Sequence, residues 1–263
     1  MRTTHSKRRQ AALAKNDLTL TYQQECYKDY SRSIGLPENY TYPDGNSIRP
    51  LPPIQIAVRG LMIVGAYPSA RFESRPSRLQ PGRYRLIPIA DNLQPFGPEQ
   101  YFDGLRVRTL VSANGLDEYL LLKLNLTLQD CWITDIVKVF LYKPEHIDAC
   151  KDVCPDFKAM ELRSKFKKLA LESLDWLRKE CKFCEPKVIV TLGEEVAQVV
   201  SGENNATADD LLFNISYPSN LDSYPTIFLP HPDACRRFGK WRSRMPEGVE
   251  KVKSFLNTET AKT

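Results

Sequence analysis

Four short runs of apolar residues punctuate the middle of the chain: Leu61–Val64, Trp132–Val137, Lys187–Leu192 and Thr226–Leu229. The first and third end at Gly65 and Gly193, and the fourth at Pro230. Apolar runs of this length, bounded by turn formers, predict strands buried on both faces. Patterns of helical period fall between them, at about 104–124, 161–183 and 194–201. In the second of these, Leu162, Phe166, Leu169, Ser173, Leu177 and Cys181 follow 3.6-residue spacing. The alternation predicts an α/β fold: a single domain with a central parallel sheet of about four strands, flanked by helices on both faces. No internal repeat or low-complexity tract interrupts it.

Residues 1–50 read as an N-terminal extension, and residues 51–263 as the α/β domain. The first sixteen carry Arg2, Lys7, Arg8, Arg9 and Lys15 with no acid, and are expected to be disordered. Beyond Asp17 the extension is rich in tyrosine, and Pro43, Pro50, Pro52 and Pro53 break regular structure.

With 263 residues, 42% hydrophobic and 26% charged, the chain is neither fibrous nor mainly disordered, and it can bury a sizeable core. No stretch approaches the ~20 apolar residues of a membrane helix, and the polar N-terminus has no secretory core. A cytoplasmic setting is expected. The formal charge of +5 decides little, but its distribution is uneven. Arg236, Arg237, Lys240, Arg242 and Arg244 are interleaved with Phe238 and Trp241, a mixture that suits a phosphate backbone and stacked bases.

Seven cysteines, an odd number, are expected to be reduced thiols. Cys150, Cys154, Cys181 and Cys184 have the look of a four-thiolate site. About 20 helical residues, at ~1.5 Å each, would hold the two pairs roughly 30 Å apart. Only a fold-back of the loop around Cys150 could close the site, and no metal is expected there.

In open parallel sheets, ligands bind beyond the carboxyl ends of the strands. After the first run comes Gly65-Ala66-Tyr67-Pro68-Ser69-Ala70-Arg71-Phe72-Glu73. The second run contains Asp135 and leads to Lys138. The third is followed by Gly193-Glu194-Glu195, and the fourth by His231-Pro232-Asp233. Of three histidines, His5 falls in the tail and His146 in a loop. His231, between two prolines, is held in a rigid turn at the ligand edge.

These pieces, in this order and spacing, resemble the uracil-DNA glycosylase superfamily from about residue 60 to 240. They are Gly65-Ala66-Tyr67-Pro68-Ser69, Trp132-Ile133-Thr134-Asp135-Ile136-Val137-Lys138, Pro186–Gly193 and Pro230-His231-Pro232. The resemblance implies a DNA glycosylase, acting as a monomer on DNA without a membrane. His231 would stabilise charge on the departing base. Asp135 would read the flipped base. Phe96 and Tyr67 would stack on it, and Ala66 would line its pocket. Arg71, Arg236, Arg237 and Lys240 would bind DNA, and Arg106 and Arg108 are further phosphate candidates.

Departures from the family pattern carry their own expectations. The acid that positions the attacking water is absent, because its slots hold Ala66 and Tyr67. Glu73 or Asp91 can substitute if the loop curls back. The cysteine that usually follows the second motif is Val139, and no Cys-x-x-Cys lies near the N-terminus, so no iron–sulfur cluster or other cofactor is expected. Asp135 replaces the usual Asn. An ionised carboxylate only accepts hydrogen bonds, which disfavours uracil O4 and favours an exocyclic amine. A modified cytosine of the kind some bacterial viruses carry fits that preference, in a defence against bacteriophage DNA. Asp135 can also position the water or serve structure alone. The competing readings are a catalytically inactive nucleic-acid-binding protein of the same fold and a plain uracil-removing repair enzyme.

Overall fold

The computed structural model describes residues 2–258, apart from 98, 103, 104, 110 and 159; side chains are described from residue 17 onward, except at 111–113. The chain opens with a long helix, α1 (Arg2–Ser33), and a coil leads to β1 (Leu61–Gly65). Two antiparallel ribbons follow: β2 (Ala70–Pro76) with β3 (Tyr84–Asp91), then β4 (Gln100–Phe102) with β5 (Val107–Thr109). Next, α2 (Val111–Leu116) passes through a π-helical turn, Asp117–Leu121, into α3 (Leu122–Leu124). After β6 (Cys131–Asp135) come α4 (Pro144–Val153), α5 (Phe166–Glu172) and α6 (Leu174–Cys184). Then β7 (Val188–Leu192) leads into α7 (Glu194–Ser201), α8 (Ala208–Leu211) and β8 (Ile215–Ser216). The described elements close with β9 (Thr226–Leu229), α9 (Pro232–Arg237) and α10 (Gly239–Leu256).

The central sheet has the order β6-β1-β7-β9-β8. Its first four strands are parallel, and every residue in them is buried. They are the four apolar runs of the sequence. The fifth, β8, is a two-residue antiparallel edge strand, too short to give a sequence signal. From β1 the chain goes first to one side, to β6, and then to the other, to β7. The order in which the strands are laid down therefore reverses between β1 and β7, the place where such folds open a crevice.

Several elements differ from expectation. The stretch at 104–124 is not one helix: Val107–Thr109 pairs as a strand, and the helix begins at Val111. Apolar spacing does not separate a short exposed ribbon from a helix start. His146 is not in a loop but in the first turn of α4, a helix with Pro144 at its start. The basic cluster falls on α9 and the start of α10.

The extension holds a helix ahead of its prolines. Thr19, Tyr22, Cys26, Tyr30 and Ile34 recur every three or four residues and are all buried. Tyr30 packs edge-on to Trp176 of α6 at 5.5 Å, and its hydroxyl meets Ser173 Oγ at 2.7 Å. Residues 1–16, expected to be disordered, belong from Arg2 onward to the helical span of α1, and their side chains lie outside the described residues. The α5–α6 face predicted from spacing is buried at all six positions, Leu162 to Cys181.

Behind the sheet edge lies a buried ion pair. Lys138 and Glu180, both fully buried, meet at 2.7 Å. Glu180 also accepts from Tyr22 Oη and Trp132 Nε1. Lys138 Nζ donates further to Thr134 Oγ1 at 2.9 Å and the Asp135 carbonyl at 2.8 Å. All three ammonium protons are thereby used, which is what makes a buried lysine tolerable. The Asp135 backbone is tied down as a result. Among the described residues, no helix is long and apolar enough to cross a membrane.

Candidate active site

At the carboxyl edge of the sheet, four strand ends open onto one cavity of about 650 Å³. That volume is typical of small-molecule sites. The loop after β1 supplies Ala66, Tyr67, Pro68 and Ser69, and the last residue of β6 supplies Asp135. The turn after β7 supplies Gly193, Glu194 and Glu195, and the turn after β9 supplies Pro230 and His231. Phe96 arrives from the segment after β3. The structure thus brings Ala66, Tyr67, Phe96, Asp135 and His231 to one cavity.

Asp135 is 3% exposed, and among the described residues nothing hydrogen-bonds its carboxyl. Burial pushes its pKa up to about 7, with Lys138 pulling down and Glu180 pushing up. The lysine is too engaged with Glu180 to hold the carboxyl ionised. At neutral pH Asp135 is therefore split between two forms. The carboxylate only accepts, whereas the neutral acid donates one hydrogen bond and accepts another. The accept-only reading drawn from sequence applies to the first form alone.

His231 caps α9. Its Nδ1 accepts from the Asp233 backbone N–H at 3.2 Å. Burial lowers its pKa, so the ring is neutral near pH 7. With Nδ1 accepting, the ring proton sits on Nε2, which leaves a neutral N–H donor in a cavity-lining ring. Pro232 fixes the turn from behind, and α2 packs so close to it that a Cβ on Gly115 would lie 2.7 Å from Pro232 Cβ.

Phe96 has a left-handed backbone, with φ +53°. That conformation costs a bulky residue on the order of 1–3 kcal/mol. It delivers the ring to Gly65, where a Cβ would stand 2.8 Å from Phe96 Cζ. Tyr67 lies beneath Arg163, whose guanidinium is 5.4 Å from the Tyr67 ring centre and 5.2 Å from that of Phe166. Arg163 also forks onto both Glu195 oxygens. On the far wall, His146 stacks on Phe140 at 5.4 Å and leans on Phe72 at 5.5 Å. Burial and Lys143 push its pKa down to about 4, so it is a neutral ring.

Other residues singled out from sequence lie elsewhere. Glu73 is on β2, paired with Arg75 at 3.1 Å, and is not part of the cavity wall. Asp91 accepts from Tyr42 Oη and the Arg49 N–H, and Arg71 Nε donates to its carbonyl. Both line a neighbouring cavity of about 620 Å³. Arg236 and Arg237 pair with Asp233, and Lys240 pairs with Asp209 at 3.1 Å. These cations are exposed, and of their neighbours Phe238 and Trp241 reach the cavity wall.

Sequence reasoning gave no role to Arg163, Lys143, Asn92 or the Glu194–Glu195 pair, all of which line the cavity. The two glutamates had a signal, since they follow a strand end and open a helix. Arg163 and Lys143 had none, because they come from segments remote from any strand end.

Comparison with curated proteins returns no match. Residues 57–246 match the family description "Uracil DNA glycosylase superfamily". The match covers more than half of the chain and contains all four parallel strands with the loops that form the cavity, so this chain belongs to the uracil DNA glycosylase superfamily.

Proposed function

We propose that the protein is a DNA glycosylase that takes an amino-bearing, non-standard pyrimidine out of the stack and hydrolyses its glycosidic bond, leaving an abasic site. The observation that carries this reading is the pairing of Asp135 with His231 in one cavity walled by Phe96 and Tyr67. Breaking a C1′–N1 bond leaves positive charge on the sugar and negative charge on the base. A neutral His231 Nε2–H is a donor suited to a carbonyl oxygen of the leaving base. Phe96 and Tyr67 offer faces for the flipped ring.

The preference for an amino-bearing base follows from the two forms of Asp135. An exocyclic amine donates to either form. A carbonyl at that position is met only by the neutral acid and is repelled by the carboxylate. Cytosine bears such an amine but is ubiquitous in DNA, so a modified cytosine is the coherent target. Removal of such a base from bacteriophage DNA is the biological setting that fits. The cavity volume leaves room for a substituent. A cytosine has about eight non-hydrogen atoms, whereas about 650 Å³ equals roughly twenty waters at ~30 Å³ each.

The second reading, a binding protein without catalysis, is favoured by one observation. The water-positioning slots hold Ala66 and Tyr67, and Glu73 does not reach the cavity. One panel separates the readings: abasic-site release from oligonucleotides carrying uracil, cytosine, 5-methylcytosine or 5-hydroxymethylcytosine. Release from the modified cytosines above uracil supports the proposal. Tight binding without release from any substrate supports the second reading, and uracil as the best substrate overturns the base preference.

A further inference from the structure

We propose that Asp135 is the acid that protonates the departing base: its neutral carboxyl pairs the N3 and N4 edge of the flipped amino-pyrimidine and passes its proton to N3 as the glycosidic bond breaks. The inference rests on the reading of the protein as a glycosylase of such bases.

The geometry supplies a buried carboxyl that no described residue hydrogen-bonds, at a strand end, on the wall of the cavity. Its Oδ1 packs against Gly65, on the side of the strand end where the Phe96 ring also sits. A base stacked on Phe96 is therefore within reach of Asp135. A neutral carboxyl and the N3–C4–N4 edge of cytosine are complementary. The O–H donates to the N3 lone pair, and the carbonyl accepts from the amine. Uracil already carries a hydrogen at N3, so it cannot take this proton there.

The chemistry needs such a proton. Uracil leaves as a delocalised anion with two carbonyl groups to hold the charge. An amino-pyrimidine has one carbonyl and is a poorer leaving group. Proton arrival at N3 neutralises it as it departs. In the step, the C1′–N1 electron pair moves onto the base, the Asp135 proton moves to N3, and a water oxygen bonds to C1′. The water releases one proton to solvent, and Asp135 regains one from solvent, so protons and charge balance.

The charged and titratable groups around Asp135 fit a proton carrier. Lys138, on the segment leaving β6, is neutralised by Glu180 of α6. Around the rest of the cavity, His231 and His146 are neutral, Arg163 is paired with Glu195, Lys143 stands at the start of α4, and Glu194 stands at the start of α7. No described cation bonds the Asp135 carboxyl. Burial leaves its pKa at about 7, where an acid is half loaded at neutral pH and most effective at proton transfer.

The test is single-turnover excision between pH 5.5 and 9, using oligonucleotides with 5-methylcytosine or 5-hydroxymethylcytosine, and with the 3-deaza analogue, which has no N3 lone pair. The expected rate is flat at low pH and falls tenfold per pH unit above about 7. Asp135→Asn should lose roughly 10²-fold or more at low pH and lose that pH limb. The 3-deaza base should be excised as slowly by wild type as by the variant. Wild-type excision that is independent of pH through 7, or equal rates on the parent and 3-deaza bases, would overturn the inference while leaving the glycosylase reading intact. Absence of excision from any cytosine-type base at any pH overturns both. If Asp135→Asn does not fold, the deaza substrate and the wild-type profile still decide.

Discussion

Gly65 and Asp135 are register partners at the carboxyl ends of adjacent parallel strands, and the Asp135 carboxyl occupies the space where a Gly65 side chain would be. A Cβ there would overlap Asp135 Oδ1 and press on the Phe96 ring at 2.8 Å. One methyl group would therefore disturb the Asp135 carboxyl and the Phe96 ring together. Overpacking of this kind costs about 1–3 kcal/mol, and a misplacement near 1 Å can lower a rate 10²-fold. Gly65→Ala is expected to lose about 10²-fold in excision while still melting cooperatively. Near wild-type turnover in this variant would remove both residues from the site.

His231 serves both the site and the fold, because the ring that lines the cavity also caps α9. His231→Ala should lose roughly 10²-fold or more in excision and, with the cap gone, about 1 kcal/mol in stability. His231→Asp keeps an acceptor for the Asp233 N–H but has no neutral donor. It is expected to recover stability without activity. Parallel urea titrations and excision rates check this pair, and recovered activity in His231→Asp would make the histidine a cap alone.

The four parallel strands were legible because burial on both faces leaves consecutive apolar residues, a signal that needs no periodicity. The ends of those strands then gave Asp135, His231 and Tyr67 by topology. Glu73 was misplaced because the residues after Ser69 do not curl back: they form a ribbon with β3 that carries Glu73 to Arg75. Arg163 was invisible because it reaches the cavity by tertiary packing on Tyr67 and Phe166. The α1 stripe was readable from its spacing but masked by the tyrosines and prolines around it. The near-neutral pKa of Asp135 is a property of burial, which no residue type announces.

The basic cluster is less available than its composition suggests. Asp233 holds Arg236 and Arg237, while Asp209 holds Lys240, which also sits 4.1 Å above the Trp241 ring. A phosphate must displace these carboxylates. Asp209→Asn is expected to tighten DNA binding and steepen its salt dependence by up to about one unit, the value of one phosphate contact. Arg236→Ala, Arg237→Ala and Lys240→Ala together should flatten it. An unchanged slope in both variants would assign the cluster to surface solvation.

The Lys138–Glu180 pair carries the Asp135 carbonyl, so its integrity should be felt in stability first. Glu180→Gln leaves a buried ammonium without a counter-charge, a loss of about 3–5 kcal/mol. Replacing both partners by apolar residues, Lys138→Met with Glu180→Leu, should recover much of that in urea unfolding. The double variant still lacks the ammonium bond to the Asp135 carbonyl, and its excision rate should stay low. A double variant as active as wild type would show that this bond does not hold the site.

Asp135 also predicts how stability depends on pH. Its folded pKa, about 7, lies above the ordinary carboxylate value of ~3.9. Between those values the unfolded chain has lost the proton and the folded chain still holds it, so stability falls as pH rises. Below about 4 both states are protonated and the penalty is absent; above about 7 it is complete. A difference of about three units corresponds to roughly 4 kcal/mol at ~1.36 kcal/mol each. Asp135→Asn cannot ionise and should escape this loss. It is expected to be more stable than wild type at pH 8, with the advantage shrinking steadily toward pH 4, when both are unfolded in urea. Other groups titrate over this range in both proteins, so the difference between the two isolates Asp135. A constant difference across pH would mean that the carboxyl ionises equally in both states, and would remove the support that burial gives to proton transfer. An advantage that grows between about pH 4 and pH 7, together with the loss of excision, would identify Asp135 as a residue held for chemistry at the expense of the fold.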